Sequence, residues 1–265
     1  MRLIMTKVMG IVNVTPDSFS DGGQFFRPEE AIRRARNLIA DGADIIDLGS
    51  ESTRPGATPL GWEEEWARLE PVLTGLVPQI TQSVNLSISQ STNRTILSVD
   101  TYHPETAARA IAVGANIINC VRPEPIPEMM KLMEDNAVEL VMPWRDDLRR
   151  ETEDLKRHWN RIYIDPMIGF GTTREEDVAL LQSIPELAKA GRVLVGASRK
   201  RIVKKLTGEK LTGKNLGGNL GIAVWAAMNG ASVVRVHDVR ETVQALKVIE
   251  ALGCSIPCRE EKERK

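Results

Sequence analysis

Eight side chains that can carry charge or hydrogen bonds lie within, at or just beyond the carboxyl ends of short apolar runs. They are Asn13, Asp47, Asp100, Asn119, Asp165, Lys200, Arg235 and His237. A buried charge is costly without a partner, so these groups either form internal ion pairs or bind a ligand. The carboxylates and amides suit the guanidine-like edge of a flat, nitrogen-rich heterocycle, and the cations suit an anionic leaving group such as a phosphate.

Eight apolar runs carry these side chains, and segments with helical periodicity separate them. The runs, which we predict to be strands, are 8–14, 43–49, 95–100, 116–120, 138–142, 161–165, 192–198 and 232–238. Most show no alternation of apolar and polar residues, as expected of parallel strands that are covered on both faces. Eight strands alternating with eight helices predict an α/β fold, a single-domain TIM (β/α)8 barrel. A doubly wound open sheet is the alternative.

Composition excludes several classes of function. The 265 residues carry a net charge of -1, which argues against a nucleic-acid binder or a membrane-surface protein. No run approaches the roughly 18 apolar residues of a membrane span, and the first residues lack a signal-peptide core. The three cysteines are too few for a disulfide framework and favour a cytoplasmic setting. We expect one barrel domain over residues 1–255 and a charged tail over 256–265.

Six sequence blocks closely resemble those of the dihydropteroate synthases, a family of pterin-binding enzymes. In chain order they are GIVNVTPDSFSDGG, ADIIDLGSESTRPG, SVDTY, IDPMIGFG, VGASRKR and VVRVHDVRET. The resemblance runs from about residue 8 to residue 250. The first two and the last two blocks are long and unusual in composition, so they carry most of its weight.

The resemblance implies a TIM barrel with transferase activity in folate biosynthesis. Members of the family condense 6-hydroxymethyl-7,8-dihydropterin diphosphate with 4-aminobenzoate, which gives 7,8-dihydropteroate and pyrophosphate. The resemblance further implies Mg2+ as cofactor, a homodimer, and inhibition by sulfonamides. No protein nucleophile is needed for this reaction, which agrees with the lack of a Ser/His/Asp or Cys/His signature in the six blocks.

The family's motifs imply three adjoining binding sites when they are carried onto this chain. The pterin site comprises Asp100, Asn119, Met142, Asp165, Lys200 and Arg235, with Met142 packing nearby and Arg235 stacking on the ring. The diphosphate site comprises Asn13, Thr53, Arg235 and His237, and Asn13 is also the expected Mg2+ ligand. The 4-aminobenzoate site comprises Phe19, Arg54, Pro55, Phe170, Lys200 and Arg201. The expected catalytic residues are Asp100, Asp165, Lys200, Arg235 and His237.

The loop TPDSFSDGG, which follows the first strand, is interpreted as a lid over these sites. Phe19 would cover the arylamine, and Asp17 and Asp21 would engage the cationic intermediate or Arg54. Two consecutive glycines at the end of the loop would give it the freedom to close.

The chain departs from the family pattern in several places. Cys120 replaces an aspartate, which removes an acidic group expected near the floor of the pterin site. Met167 and Thr172 replace a glycine and a lysine in the block DPMIGFGT. Pro143 replaces a histidine, and the segment 143–160 is short, which bears on the expected dimer.

Two further features have open interpretations. Asp47 either reaches the pterin or only supports the STRPG loop, which follows the second strand and is called the second loop below. The polar segment 78–94 is predicted to be a surface extension between a helix and a strand.

Two other functions fit parts of this pattern. A pterin-binding paralogue without turnover is compatible with the departures in NCVRP and DPMIGFGT. A methyltetrahydrofolate-dependent methyltransferase on the same barrel would keep Asp100, Asn119 and Asp165. However, it would have no use for the TPDSFSDGG loop, the STRPG loop or the RVH motif.

Overall fold

The computed structural model describes residues 6–15, 27–51, 59–82, 95–144 and 157–253. Its strands are β1 (Lys7–Asn13), β2 (Ile45–Gly49), β3 (Ile96–Asp100), β4 (Ile117–Asn119), β5 (Glu139–Pro143), β6 (Ile162–Asp165), β7 (Arg192–Val195) and β8 (Val233–Val236). They form a closed barrel in sequence order. All neighbouring strands are parallel, including β8 and β1, which close the ring. The prediction of a TIM barrel is therefore confirmed, and the open-sheet alternative is wrong.

Helices surround the barrel. They are α1 (Pro28–Ala40), α2 (Trp62–Gln82), α3 (Pro104–Val113), α4 (Ile126–Asp135), α5 (Arg174–Ala190), α6 (Arg201–Thr207), α7 (Leu216–Met228) and α8 (Val239–Ala251). Several start as the sequence predicts, with proline or acidic residues in the first turn. The start of α5 also has a capping box between Thr173 and Glu176, which satisfies two backbone N–H groups. Two helices, α6 and α7, connect β7 to β8.

The prediction for residues 78–94 is wrong in its first part, because α2 continues to Gln82. This helix contains Pro71 and Pro78, although each proline removes a backbone hydrogen bond. Its buried face includes Leu69, Leu73 and Ile80, and their packing against the barrel offsets that loss. Residues 83–94 lie outside the described residues, as do 145–156, so the rest of both segments stays a prediction. The boundary between barrel and tail also lies outside them.

The inside of the barrel has two layers of side chains. The layer near the amino ends of the strands is apolar and fully buried, and consists of Met9, Ile45, Ile117, Val141, Tyr163, Leu194 and Val233. Residues two positions further along a strand face the same way. Asp47, Asn119, Asp165 and Arg235 therefore form a polar layer directly above the apolar one.

The residues between these positions face the surrounding helices. Ile46, Ile118 and Val234 belong to one large apolar cluster between strands and helices. The alternation of inward and outward side chains thus brings the polar groups together at one end of the barrel. In the described part of the chain, no helix is long and apolar enough to cross a membrane.

The loop after β6 contains a strained residue. Met167 has φ of 61°, a left-handed conformation that glycine adopts freely and other residues adopt at a cost of roughly 1–2 kcal/mol. The family's glycine at this position matches that conformation.

We predict that Met167→Gly and Met167→Val will differ in stability. Glycine relieves the left-handed strain, whereas a β-branched side chain increases it, so the glycine variant should be more stable by about 1–2 kcal/mol. Urea unfolding of the two variants measures the difference. A valine variant that is as stable as the glycine variant would contradict this account of the loop.

Candidate active site

Arg235 lies at the centre of the polar layer, between two carboxylates. Its Nε donates to Asp47 Oδ2 at 2.6 Å, and its Nη2 donates to Asp100 Oδ2 at 2.7 Å. The Asp47 side chain is fully buried, while those of Arg235 and Asp100 are 19% and 17% exposed. One guanidinium therefore joins the ends of β2, β3 and β8 through charge-assisted hydrogen bonds.

Asp47 has two further partners on neighbouring strands. Its Oδ1 accepts a hydrogen bond from Ser98 Oγ at 2.5 Å, and its Oδ2 accepts one from Asn119 Nδ2 at 3.1 Å. The structure thus gives Asp47 a third role, as the buried counter-ion of Arg235. It orients Asn119, whose buried Oδ1 has no hydrogen-bond partner among the residues that the structure describes. An unsatisfied buried acceptor is costly, so this oxygen is poised for a ligand donor.

Asp100 and Arg235 have strongly shifted pKa values. Burial raises the pKa of Asp100 to about 7 against the attraction of Arg235, with further raising by Asp47 and Glu65. The pKa of Arg235 is raised by the surrounding carboxylates, Asp47 and Asp100 foremost, although burial opposes them. The guanidinium therefore stays charged, while Asp100 exchanges protons near neutral pH.

Asp165 and Lys200 form the second charged group of the site. Burial raises the pKa of Asp165, opposed by Lys200 and by the Met167 N–H, which donates to Oδ1 at 2.7 Å. Burial lowers the pKa of Lys200 to about 8. Lys200 Nζ donates to the carbonyl of Ile168 at 2.6 Å and lies 4.1 Å from the centroid of the Phe170 ring. The lysine thus packs across the loop that follows Asp165.

His237 contributes hydrogen bonds rather than positive charge. Burial, together with the charges of Arg199 and Arg235, lowers its pKa to about 3. Its Nδ1 lies 3.1 Å from Ser198 Oγ. Burial, together with the two nearby arginines, thus favours a neutral imidazole that offers hydrogen bonds to an anionic group. The role of His237 at the diphosphate stays a prediction.

Two of the expected site residues lie at the rim. Asn13 ends β1 with its side chain exposed at the carboxyl end. The guanidinium of Arg201 bonds the carbonyl of Thr172, which links α6 to the loop after β6. Phe19, Thr53, Arg54, Pro55, Asp17 and Asp21 lie outside the described residues, so their roles stay predictions.

Two expectations about the pterin pocket are corrected by side-chain direction. Met142 does not face the polar layer, because it alternates with the inward Val141 and packs in the apolar cluster between strands and helices. Cys120 follows the inward Asn119 and lies in the same outer cluster. The replacement of aspartate by Cys120 thus removes no group from the barrel interior.

Thr172, the other departure, is held by a buried carboxylate. Its hydroxyl donates to Asp177 Oδ1, which also accepts from the Gly169 N–H at 2.7 Å. Asp177 is fully buried on α5 and fixes the loop that carries Phe170. Asp177 was not anticipated from the sequence, since an acidic residue in a first helical turn usually favours the helix dipole only.

The arrangement suits a ligand with one donor-rich edge and one anionic group. Asp100, Asp165 and the free oxygen of Asn119 offer acceptors, while Lys200 and Arg235 offer charged donors. Among the described residues, no cluster of three or more His, Cys, Asp or Glu side chains could hold a metal ion.

Comparison with known proteins identifies relatives across most of the chain. The family model described as pterin binding enzyme matches residues 9–159 and 144–237. A dihydropteroate synthase of Neisseria meningitidis serogroup B is 36% identical, covering 94% of this chain and 94% of that protein.

Solved structures agree with this similarity. The dihydropteroate synthase of Xanthomonas albilineans with 4-aminobenzoic acid is 37% identical, with a TM-score of 0.77 over 94% of both chains. The Yersinia pestis dihydropteroate synthase in complex with a sulfonamide drug is 31% identical, with a TM-score of 0.76 over 96% of this chain and 97% of that one.

We predict that the titration of Asp100 contributes to the dependence of stability on pH. Because its folded pKa is raised, the folded protein binds more protons than the unfolded one between about pH 4 and pH 7, so stability falls as pH rises through that window. Relative to Asp100→Asn, the wild type should lose up to about 1.4 kcal/mol per pH unit. Urea unfolding from pH 4.5 to 8 tests this, and a constant difference between the two proteins would refute it.

Proposed function

Since the chain belongs to the pterin-binding enzyme family and, within it, to the dihydropteroate synthases, we propose how its barrel condenses the two substrates of that reaction. These are 6-hydroxymethyl-7,8-dihydropterin diphosphate and 4-aminobenzoate, and the products are 7,8-dihydropteroate and pyrophosphate. The observation that carries the proposal is the polar layer, where acceptors for a heterocycle and cations for a diphosphate meet at one mouth.

The pterin lies on the polar layer, with its donor-rich edge toward the carboxylates. Asp165 accepts from the amino-pyrimidine edge, and the unpaired oxygen of Asn119 accepts a further ring N–H. Asp100 lies on the other side of this position and its raised pKa lets it adapt its protonation to the bound ring. Buried acceptors that lack partners until the substrate arrives give strong selection against rings without those donors.

The diphosphate lies toward β8 and β1, where the charged donors end. Arg235 faces it from the centre, His237 donates through its imidazole, and Asn13 lies at the rim beside them. Neutral His237 can also take up a proton when negative charge accumulates next to it. Thr53, on the second loop, is the fourth proposed contact.

We propose Mg2+ as the cofactor, held by Asn13 Oδ1 together with diphosphate oxygens and water. A single amide ligand plus substrate phosphates is a donor set that Mg2+ accepts, because this ion prefers oxygen and keeps several waters. When bound, the ion neutralises negative charge on the departing pyrophosphate.

The protein's residues favour ionisation of the pterin substrate before the arylamine attacks. Asp100 and Asp165, buried beside the ring, stabilise positive charge that spreads over the pterin as pyrophosphate departs. Arg235 stabilises the negative charge that develops on the leaving group. The arylamine nitrogen then attacks the methylene carbon, its lone pair forms the new C–N bond, and the extra proton passes to solvent.

The aminobenzoate binds last, against the outer side of the pterin. Phe170 and the stem of Lys200 form an apolar wall for its ring, and Arg201 lies at the rim for its carboxylate. Phe19, Arg54 and Pro55 complete this site in the proposal, with Asp17 and Asp21 on the lid. Sulfonamides, which resemble the aminobenzoate in shape, are proposed as inhibitors of the same site.

The paralogue without turnover is less well supported than the synthase. The substitutions that favoured it are Cys120, Met167 and Thr172. Cys120 lies outside the barrel interior, and Met167 still donates its backbone N–H to Asp165. Thr172 lacks the charge of the family's lysine but is held by Asp177. The carboxylates, the amide and the cations of the polar layer are therefore all retained.

We predict that Asp165→Asn will lower kcat/KM by more than about 100-fold, because a carboxylate that stabilises developing charge is lost. Pyrophosphate release is measured with pterin diphosphate, 4-aminobenzoate and Mg2+. Asp135→Asn is the matched control, since Asp135 is exposed and paired only with Lys131 in the described part of the chain.

Three results would count against parts of this proposal. No release by the wild type above a no-enzyme background would overturn the synthase. Full pyrophosphate release without added Mg2+, in the presence of a chelator, would refute Mg2+ as the cofactor. Unchanged turnover in the presence of excess sulfonamide would refute the proposal that these compounds inhibit the enzyme.

We further propose a cytoplasmic homodimer that is formed through α6 and α7. Five large apolar side chains on α6, α7 and the intervening turn are 38–57% exposed: Leu206, Leu211, Leu216, Trp225 and Met228. Aromatic residues and methionine are enriched at protein interfaces, and Trp225 is the type of residue that anchors them. Cys120, a buried free thiol, fits a reducing compartment.

Light scattering should give twice the chain mass of 29.4 kDa for the wild type. Trp225→Glu should give the monomer mass, because a buried unpaired charge opposes association. Val248→Glu is the control, since Val248 is 58% exposed on α8 and should leave the dimer intact. A wild type that is monomeric at micromolar concentration would refute the interface.

A further inference from the structure

Asn219 is a buried amide on α7 that connects two loops of the barrel mouth. Its Oδ1 accepts the backbone N–H of Arg199 at 3.0 Å, and its Nδ2 donates to Asp238 Oδ2 at 3.2 Å. Arg199 belongs to the loop after β7, and Asp238 to the loop after β8. Both functional groups of the amide are therefore used to join segments that are far apart in the sequence.

Arg199 adopts a conformation that needs support. Its φ is 60°, which costs an arginine free energy that a glycine would not lose. The bond to Asn219 holds this backbone N–H, and the Arg199 guanidinium donates to Asp238 Oδ1 at 2.6 Å. Lys200 follows directly, so the turn at Arg199 decides where the lysine enters the site.

Asp238 is held by the same contacts instead of capping its own helix. It occupies the position before α8, where an aspartate usually accepts a backbone N–H of the first turn, but it makes no such bond. Giving up that bond costs roughly 1 kcal/mol. Its carboxylate instead bonds Arg199 and Asn219, which indicates that these contacts are favoured over the cap.

The two loops also meet on the side that faces the site. Ser198 Oγ lies 3.1 Å from His237 Nδ1 and accepts the His237 backbone N–H at 3.3 Å. Ser198, Arg199, Asn219, Asp238 and His237 thus form a closed ring of contacts, which we call the loop clamp. Lys200 directly follows Arg199 of the loop clamp in the chain, and His237 is itself a member of the clamp.

We propose that Asn219 is a positioning residue, which sets Lys200 and His237 relative to each other through the loop clamp. The proposal rests on the proposed function for the roles of these two groups, which contact the pterin and the diphosphate. Asn219 itself touches neither substrate. Its effect comes from two contacts. It fixes the backbone turn at Arg199, which places Lys200, and it fixes the carboxylate of Asp238, which follows His237 in the chain.

The start of α7 offers a control for the test. Asn215 occupies the position directly before α7, one turn from Asn219. It is likewise buried, and neither of its side-chain polar atoms has a hydrogen-bond partner in the described part of the structure. Asn219→Leu and Asn215→Leu therefore place the same side chain at two buried asparagine positions one turn apart. Only the first removes contacts of the loop clamp.

The direct measurement is nuclear magnetic resonance of the imidazoles in histidine-labelled protein, which has three histidines. The signals of His237 are assigned with His237→Gln. Asn219→Leu should shift the His237 signals and leave those of His103 and His158 in place, while Asn215→Leu should shift none. This result does not depend on turnover, so it tests the loop clamp even if the proposed reaction is wrong.

The kinetic measurement asks whether the clamp matters for substrate binding. Asn219→Leu should raise KM for the pterin diphosphate and lower kcat/KM about 10- to 100-fold, as is typical when a group that orients a ligand contact is lost. Asn215→Leu should keep wild-type values. Unfolding temperatures show whether both variants fold, and Asn219→Ala with Asn215→Ala replaces the pair if either leucine variant does not.

Two outcomes would overturn the proposal. One is a His237 spectrum in the Asn219 variant that matches the wild type. The other is a kcat/KM that falls equally in the Asn219 and Asn215 variants, which would reduce the effect to the general cost of changing a buried asparagine.

Discussion

The ion pair network around Arg235 is the constraint on which the site depends. A guanidinium in the mouth of the barrel is tolerable only because Asp47 and Asp100 both accept its hydrogen bonds. Those bonds tie β8 to β2 and β3 across the barrel. Asp47 in turn holds Asn119, so one buried pair orders acceptors on several strands before any ligand arrives.

Several polar groups of this preorganised site still lack the interactions that would stabilise them fully. Within the described part of the chain, Asn119 Oδ1 has no hydrogen-bond partner, and burial disfavours the charged forms of Asp100 and Lys200. A ligand with matching donors and acceptors would recover this cost. The free energy stored in unsatisfied groups is thus available for selectivity rather than for stability.

The strand pattern was predictable because parallel strands covered on both faces must be continuous apolar runs. The inward positions of Asp47, Asn119 and Arg235 follow from the same two-residue alternation. Met142 and Cys120 were misplaced because likeness to a motif was given more weight than that alternation. Counting one residue on from Asn119 would have set Cys120 facing outward, whereas the direction of Met142 follows only from the pairing of β5 with β4, in which Val141 lies opposite Asn119.

Other features could not be read from the sequence, since their partners are distant. Asp177 and Asn219 lie on helices, and nothing local distinguishes them from solvated polar residues. Their function arises only when the closed barrel brings neighbouring loops within hydrogen-bonding distance. The lowered pKa of His237 has the same origin, because its burial and its closeness to Arg199 and Arg235 arise only in the closed barrel.

The apolar layer beneath the site determines the route by which substrates and products can enter and leave the barrel. Met9, Tyr163 and Val233, with the other residues of that layer, are fully buried and close the amino-terminal end of the barrel. Substrates and products must therefore pass through the carboxyl-terminal end. In the proposed reaction, the departing pyrophosphate and the arriving arylamine share that passage. A pterin bound on the polar layer would therefore have to enter before the arylamine.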